Sequence, residues 1–307
     1  MDDNSTSPIG VICGPTGAGK TFLATWFSRM ADVTVVSADS RQLYTGFDIG
    51  TAKPTVAERL AVPHCGIDVL APTERASSAW WAGNADRWID EVTASGRTPI
   101  VVGGTGLYLR ALFGSLFEEP AMDQARRADL QVLLVEQPTD ELRRWVSALD
   151  PARAHLGRTQ LLRAIEIALL TGRRVSDLHR ETARPPRRRA RYLVVDPGPS
   201  LAARIESRTS AMMSSGWPGE VRHLMQSVPD DAPAWNAAGY RTLRAVERGA
   251  LSPRDAEHRV VIETRQYAKR QRTWFRHQLA GEDVTRLAMD EADWAEHAAA
   301  WWRKGNT

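Results

Sequence analysis

The chain has 307 residues, of which 43% are hydrophobic and 25% charged, and its formal net charge is +3. This composition excludes an intrinsically disordered or fibrous protein, and the two cysteines exclude a disulfide framework and a zinc finger. No apolar run approaches the roughly 18 residues that a membrane span needs. We therefore expect one large or two moderate globular domains, no membrane partner, and a location in the reducing cytoplasm.

The first predicted element is a short apolar run at 9–13, which is typical of a buried parallel strand. A glycine-rich turn follows it and leads into helical periodicity at 22–30. The turn reads Gly14-Pro15-Thr16-Gly17-Ala18-Gly19-Lys20-Thr21. In this context backbone N–H groups and a helix N-terminus converge on an anion, Lys20 adds a positive charge, and Thr21 is placed to ligate Mg²⁺. The motif predicts a site for a di- or triphosphate and leaves the reaction open.

Two further strands are predicted at 33–37 and 99–102, with a helix at about 81–92 between them. Together with the first strand they alternate with helices, which predicts a parallel α/β sheet whose ligands lie at the carboxyl ends of its strands. Polar residues follow two of these ends. They are Asp39-Ser40-Arg41-Gln42 after the second strand and Gly103-Gly104-Thr105 after the third.

The rest of the chain divides into an insertion and a second part of the core. Residues 123–180 have mostly helical patterning, and 192–196 has the pattern of a returning core strand. Beyond this strand we expect helices only, at about 201–214, 219–226, 239–248, 253–280 and 291–303. The predicted domains are a P-loop NTPase-like core in 1–114, a mostly helical insertion domain in 115–188, and core completion with a helical C-terminal region in 189–307.

Arginine is concentrated in two clusters, at 184–191 and 265–276. Four cations of the second cluster have the spacing i, i+4, i+7, i+11, which places them on one face of the long predicted helix: Arg265, Lys269, Arg272 and Arg276. Such a face, with Tyr267 and Trp274 interleaved, is suited to a phosphate backbone, and the alternative is an ordinary solvated face. The first cluster contains two prolines and suits a solvated linker equally well.

Four segments of the chain together resemble the tRNA dimethylallyltransferase (tRNA isopentenyltransferase) family, whose members attach an isopentenyl group to N6 of an adenine 3′ of the anticodon. The segments are the glycine-rich turn, residues 38–54, residues 102–108 and residues 264–274. The resemblance spans about residues 9–277. It implies that the glycine-rich turn holds dimethylallyl diphosphate with Mg²⁺, rather than ATP, and that the partner is the tRNA anticodon stem-loop.

The resemblance also implies roles for individual residues. Asp39 resembles a general base that takes a proton from N6, which is a poor nucleophile because its lone pair is delocalised into the ring. Lys20, Thr21, Thr105 and Arg208 resemble the groups that stabilise the leaving diphosphate. Each has an alternative from the residues alone: Asp39 as a helix cap or a partner of Arg41, Thr105 as part of a turn, and Arg208 as a solvated charge.

For tRNA binding, the resemblance implies residues near the strand ends, in the insertion and on the basic helix: Ser40, Arg41, Gln42, Tyr44, Gly103, Gly104, Tyr108, Arg163, Arg241, Arg265, Gln266, Lys269, Arg270, Arg272 and Trp274. The insertion is shorter than is usual in the family, and residues 154–160 replace a His-Pro-Asn-Asp stretch. Contacts between the insertion and the anticodon stem therefore stay open.

Three rival functions stay open at this point. One is prenyl transfer to a free nucleotide or another small adenine-containing acceptor, which the basic helix disfavours. The second is a P-loop kinase acting on a small metabolite, and the third is a binding module without catalysis. Nothing in the sequence requires a dimer, and we expect a monomer.

Overall fold

The computed structural model describes residues 7–114, 120–181, 186 and 188–305. Its central feature is a six-stranded sheet whose neighbouring strands pair in parallel. The strands, β1 to β6 in chain order, are Ile9–Cys13, Val33–Ser37, His64–Cys65, Thr98–Gly103, Ala190–Asp196 and Val284–Ala288. Their order in the sheet is β3-β2-β4-β1-β5-β6. The predicted parallel α/β fold is confirmed.

Helices connect these strands and form most of the remaining described chain. In chain order, α1 to α13 are Lys20–Phe27, Val56–Ala61, Ser78–Ala94, Gly106–Phe113, Gln124–Val135, Thr139–Leu149, Arg158–Thr171, Val175–Glu181, Leu201–Ser214, Trp217–Leu224, Tyr240–Glu247, Pro253–Gln278 and Trp294–Lys304. The longest, α12, has 26 residues and begins where Ser252 accepts a hydrogen bond from the Asp255 N–H. Within the described residues, no helix is long and apolar enough to cross a membrane.

The expectation that only helices follow the strand at 192–196 is wrong. Residues Val284–Ala288 form β6, which pairs in parallel with β5 at the edge of the sheet. Of its five residues only Leu287 is buried. The segment therefore lacks the continuous apolar run that identified the central strands, and an edge strand of this length gives little periodic signal.

The chain divides into two compact units. One comprises Met1–Phe113 and Arg187–Thr307 and contains the sheet, and the other comprises Gly114–Pro186. The second unit consists of α5 to α8 around its own apolar core, in which Leu142, Val146 and Ile165 are fully buried. Amphipathic helices must bury their apolar faces. The helices predicted for 123–180 do so against one another.

The tryptophan pair near the C-terminus packs against the first helix. Phe27 of α1 is fully buried and stacks on Trp302 with ring centroids 4.7 Å apart, while Trp301 lies 5.6 Å from the same ring. Both tryptophans belong to the core cluster that surrounds β1 and the helix after the glycine-rich turn. The C-terminal helix α13 therefore stabilises the helix on which the site depends.

Replacing Phe27 by alanine is expected to lower the free energy of unfolding by about 3–5 kcal/mol, because it removes a ring enclosed by aromatic neighbours. The matched control is Phe22→Ala on the same helix, where the side chain is 54% exposed and a change below about 1 kcal/mol is expected. Urea denaturation measures both. Equal losses for the two variants would contradict this account of the core.

Candidate active site

The site lies where the loops after β1, β2 and β4 meet at the carboxyl edge of the sheet. The backbone holds these loops together: the Ala38 N–H donates to Val102 O at 2.8 Å, and the Thr105 N–H donates to Ala38 O at 3.1 Å. Gly103 is required at this crossing, because a Cβ there would lie 2.2 Å from Ala38 O. The residues that follow three different strands are thus brought to one place, as predicted for a parallel sheet.

The glycine-rich turn has the conformation of an anion-binding loop. Gly14 has φ +150°, and a Cβ there would lie 2.4 Å from Val195 O of the neighbouring strand. Gly19 precedes α1 in the left-handed region, and no side chain caps the helix. The first N–H groups of α1 are therefore available to an anion rather than to a capping oxygen.

Lys20 lies inside this loop. Its Nζ donates to the carbonyl oxygens of Gly14, at 3.1 Å, and Pro15, at 2.7 Å. Burial lowers the pKa of Lys20 to about 8; Asp39 opposes this shift and Arg208 adds to it. An anion in the loop would favour the charged form of the ammonium group.

Asp39 and Thr105 are fixed by hydrogen bonds between the loops. The Arg41 N–H donates to Asp39 Oδ1 at 2.9 Å, and the Ser40 N–H donates to Thr105 Oγ1 at 3.0 Å. The next helix, α2, begins at Val56 and is capped by Thr55, so Asp39 does not cap it. The hydrogen-bond donor to Asp39 is the backbone N–H of Arg41 and not its guanidinium. One Asp39 oxygen is held by a donor while the side chain lines two cavities.

Arg208 reaches the glycine-rich loop from α9. Its Nη1 donates to Thr16 Oγ1 at 3.2 Å, and burial lowers its pKa while Asp39 opposes the shift. The alternative of a solvated charge is thereby disfavoured. Two cations, Lys20 and Arg208, and one acidic side chain are concentrated around the loop, which is the charge distribution expected of a site for a polyanion.

Gln271 of α12 contacts the same loop, and the sequence analysis gave it no role. Its Oε1 accepts from the Thr16 N–H at 2.8 Å, and its Nε2 donates to Gly104 O at 2.9 Å. The signal that would have found it is its place in the buried seam of α12, between the buried Ala268 and Phe275. A polar residue in an apolar seam is usually there for a specific partner.

Two cavities meet at Asp39. The first, about 850 Å³, is lined by the glycine-rich loop with Lys20 and Thr21 and by Arg204 and Arg208. The second, about 580 Å³, is lined by aromatic and apolar side chains, among them Trp217, Trp235 and Tyr267, and by a set of arginines: Arg41, Arg241, Arg259 and Arg270. Four residues line both cavities: Thr16, Asp39, Thr51 and Arg208.

Several residues predicted to bind tRNA serve the local fold as well. Gln42 Nε2 donates to Ala52 O at 3.1 Å, so its amide is held within its own loop. Tyr108 is 4% exposed and stacks on Trp81 with centroids 4.7 Å apart. Tyr44 is 5% exposed, and its carbonyl accepts from Lys53. The two tyrosines therefore lie under the site, whereas Gln42 is half-buried and lines the anion cavity.

Lys53, in the motif at 50–54, has a structural role. Its buried ammonium group pairs with Asp48 at 2.7 Å and with Asp68 at 2.5 Å. Arg59 also pairs with Asp68, and the two cations outweigh partial burial and lower the pKa of Asp68. These ion pairs hold the segment in place. Because Thr51 of this segment lines both cavities, the ion pairs also stabilise that part of the cavity wall.

The cationic face of α12 is only partly free. Arg265, Lys269 and Arg276 are exposed, but Arg265 pairs with Glu206 at 2.5 Å, and Arg272 pairs with Asp196 at 3.0 Å. Gln266 and Arg270 line the aromatic cavity. Trp274 packs so closely on α4 that a Cβ on Gly106 would lie 2.4 Å from its ring. The helix thus presents cations outward and contacts the site inward.

The other predicted arginines have mixed surroundings. Arg241, at the cavity, donates to Asn236. Arg163 lies in the second unit and pairs with Glu166 at 2.8 Å. In the cluster at 184–191, Arg188 pairs with Asp86 and Asp90, and Arg191 lies 4.2 Å from the Trp301 ring centroid. Residues 184, 185 and 187 of that cluster lie outside the described residues.

The fold and the site define a class of protein. It is an α/β protein of the P-loop type, in which the cavity of the glycine-rich loop adjoins an aromatic cavity and Arg208 lines both. The loop and the first strand alone would fit many enzymes of this class. Within it, the chain belongs to the IPP transferase family, whose sequence profile matches residues 42–278. The predicted family and the prediction of a prenyltransferase are confirmed.

Relatives and solved structures agree with this assignment. A tRNA dimethylallyltransferase of Thermomicrobium roseum is 40% identical over 290 residues, which is 92% of this chain and 88% of that protein. The structure of tRNA delta(2)-isopentenylpyrophosphate transferase from Staphylococcus epidermidis has a TM-score of 0.68 at 29% identity and covers 97% of this chain and 99% of that chain. A eukaryotic dimethylallyltransferase acting on tRNA has a TM-score of 0.79 at 25% identity, covering 96% and 77%.

Proposed function

We propose that this protein transfers a dimethylallyl group from dimethylallyl diphosphate to N6 of the adenine 3′ of the anticodon in tRNA, and releases diphosphate. The observation that carries the proposal is the position of Asp39 and Arg208 at the junction of two cavities, one built for an anion and one lined by aromatic rings. A donor and an acceptor that enter from different cavities meet at these two side chains.

The donor diphosphate occupies the cavity of the glycine-rich loop. The backbone of Gly17 and Gly19, the Lys20 ammonium group and the Arg208 guanidinium line this cavity and supply the donors for the diphosphate. Mg²⁺ fits this donor set, because Thr21 offers an exposed hydroxyl next to Lys20, and Mg²⁺ typically takes one or two protein oxygens together with substrate phosphates and waters. When bound, the ion neutralises part of the diphosphate charge.

In the transfer, the N6 lone pair forms a bond to the first carbon of the dimethylallyl group as the bond from that carbon to the diphosphate oxygen breaks. The electron pair of the broken bond leaves with diphosphate, where Lys20 and Arg208 stabilise the added charge. Asp39 accepts the N6 proton, which restores a neutral amine. The Arg41 N–H holds Asp39 Oδ1, so that Oδ2 is the oxygen available to the substrate. Thr105, hydrogen-bonded to Ser40, orients this part of the loop.

The acceptor is a base turned out of an RNA loop. An adenine within an anticodon loop must leave its stack to reach Asp39, and aromatic and arginine side chains are the surfaces on which such bases stack. Tyr267 and Arg270 line that cavity, and Lys269 and Arg276 continue outward along α12 as exposed cations. This supports the proposal that α12 follows the RNA backbone. We include Arg163 and the second unit among the proposed contacts to the anticodon stem.

The proposed working unit is a cytoplasmic monomer. One chain supplies Lys20, Asp39 and Arg208, the groups to which the proposed chemistry is assigned. The cysteines are unpaired thiols: Cys13 is buried, with its pKa raised to about 12 by burial, and Cys65 is half-buried. Free thiols support a reducing compartment.

Diphosphate affinity is expected to fall as the pH rises above about 8, because Lys20 loses its proton there in the free protein. Above this pH the loss approaches about tenfold per pH unit, and binding takes up a proton. The effect of Lys20 on folding has the opposite sign. Between pH 8 and 10.5 the unfolded chain binds more protons at Lys20 than the folded chain does, so this residue raises the free energy of unfolding as the pH rises. Calorimetric titration with inorganic diphosphate from pH 7 to 10 measures the affinity, and a constant affinity would contradict the assignment.

The experiment that tests the proposed function is transfer of labelled dimethylallyl from its diphosphate, with Mg²⁺, to an anticodon stem-loop with adenines 3′ of the anticodon. Digestion to nucleosides is expected to place the label on N6-alkylated adenosine. A stem-loop with purine at the acceptor position, which lacks the amine, is the control and should remain unlabelled. AMP, ATP and adenosine are tested in parallel, and label on these alone would overturn the RNA acceptor.

A further inference from the structure

The side chain of Gln271 joins two loops of the active site from the middle of α12. Its amide accepts from the Thr16 N–H at 2.8 Å and donates to Gly104 O at 2.9 Å, across sequence separations of 255 and 167 residues. The side chain is 7% exposed. Both ends of the amide therefore have a partner, and each partner is a backbone group of a loop that faces the substrates.

The amide lies close against the backbone at Gly104. A Cβ on Gly104 would lie 2.3 Å from Gln271 Nε2 and 3.2 Å from Gly14 O. Thr16 is fixed a second time, because its hydroxyl accepts from Arg208 at 3.2 Å. The position of the glycine-rich loop relative to Arg208 thus depends on a hydrogen bond to α12. An apolar residue in the same seam would fill the space but would leave the Thr16 N–H and Gly104 O without this partner.

The same helix carries the proposed RNA contacts. Lys269 and Arg270, two and one positions before Gln271, are exposed, and Arg270 lines the aromatic cavity. Trp274, three positions after it, packs on Gly106 at the start of α4. RNA that fixes the outer face of α12 therefore also fixes the amide that holds the anion-binding loop.

We propose that Gln271 is a positioning residue that links RNA docking on α12 to diphosphate binding, so that each ligand raises the affinity for the other. The inference rests on the proposed function, since it requires RNA on this helix. Coupling between two sites is reciprocal, and typical values are about 5- to 150-fold in affinity. Gln271 borders the anion cavity, but its amide is engaged by the Thr16 N–H and Gly104 O, so we assign its effect to loop position and not to proton transfer.

The test measures the affinity for inorganic diphosphate with Mg²⁺ by calorimetry, for the protein alone and in complex with the purine-substituted stem-loop. In the unaltered protein the stem-loop is expected to raise this affinity at least about fivefold. In Gln271→Met the ratio is expected to fall to near one, while stem-loop affinity stays close to the original value and the melting temperature falls by a few degrees, because two backbone groups lose their partner. Gln278→Met, an exposed glutamine at the end of the same helix, is the control and should retain the original ratio.

An unchanged ratio in Gln271→Met, or a ratio of one in the unaltered protein, would overturn the proposal. If Gln271→Met weakens diphosphate binding equally with and without the stem-loop, the ratio is unchanged. Gln271 would then have only a structural role, and the proposal would also be overturned. If the methionine variant does not fold, Gln271→Asn keeps an amide in the site but is too short to reach both partners, and a reduced ratio is expected. Absence of label transfer to the stem-loop by the unaltered protein is a separate result, which rejects the proposed function itself.

Discussion

Replacing Asp39 by asparagine is expected to lower kcat for transfer to the anticodon stem-loop by roughly 10²–10⁴-fold, with stem-loop affinity nearly unchanged. Asparagine has the shape of aspartate, and its oxygen still accepts from the Arg41 N–H, which lies 2.9 Å from Asp39 Oδ1. The substitution therefore removes the proton acceptor and preserves the loop. Rapid-quench kinetics with saturating substrates measure the chemical step, and filter binding measures the affinity for RNA.

The matched control is Asp32→Asn, at the opposite end of the same strand. Asp32 is exposed and pairs with Arg97 at 2.9 Å, a surface ion pair whose loss should leave kcat unchanged. If Asp39→Asn retains kcat within a few-fold of the original value, Asp39 is not the base. Loss of RNA binding together with kcat would show that its role lies in shaping the loop.

Replacing Arg208 by glutamine is expected to lower kcat by roughly 10²–10³-fold, because this half-buried cation lines the cavity proposed for the diphosphate and acts most strongly when charge develops on the leaving group. Its guanidinium contacts Thr16 Oγ1 at 3.2 Å, and its charge is one cause of the lowered pKa of Lys20. The variant should therefore raise the pKa of Lys20 and move the pH limit of diphosphate binding above its original value.

The pH above which diphosphate affinity falls, called here the pH limit, distinguishes a loss of the Arg208 charge from a loss of packing around its side chain. A glutamine variant that bound diphosphate poorly but kept the original pH limit would contradict the assigned charge interaction between Arg208 and Lys20. The control is Arg29→Gln, an exposed arginine just beyond α1, which should change neither kcat nor the pH limit. Single-turnover kinetics and calorimetry between pH 7 and 10 provide both readouts.

The parts of the fold that the sequence predicted are those with strong local signals. The central strands are continuous apolar runs, and the glycine-rich turn needs a backbone that few residue types allow, as the fit of Gly14 against Val195 shows. Strand β6 was missed because only Leu287 in it is buried, so that its signal depends on the partner strand β5. Edge strands are stabilised by neighbours that are distant in sequence.

Residues of the candidate site that lie in sequence motifs could be proposed from the sequence. Residues whose hydrogen-bond partners are distant in sequence could not. Asp39, Thr105 and Arg208 were proposed through the family resemblance. Asp39 and Arg208 line both cavities, and Thr105 is joined to the loop of Asp39 by its hydrogen bond from Ser40. Gln271 was missed because a polar residue in a buried seam is recognised only when its two backbone partners are known. The roles of Arg188 and Arg191 were likewise hidden, since a charge run does not reveal an aspartate or a tryptophan folded against it.

The most direct test of the central claim is the stoichiometry of a single turnover. The claim is that the glycine-rich loop holds a prenyl diphosphate, whose diphosphate leaves as an RNA adenine is alkylated beside Asp39. We expect one diphosphate released for each N6-alkylated adenine, at the same rate, and no orthophosphate when ATP replaces dimethylallyl diphosphate. Release of orthophosphate from ATP, or alkylation without matching diphosphate release, would contradict it.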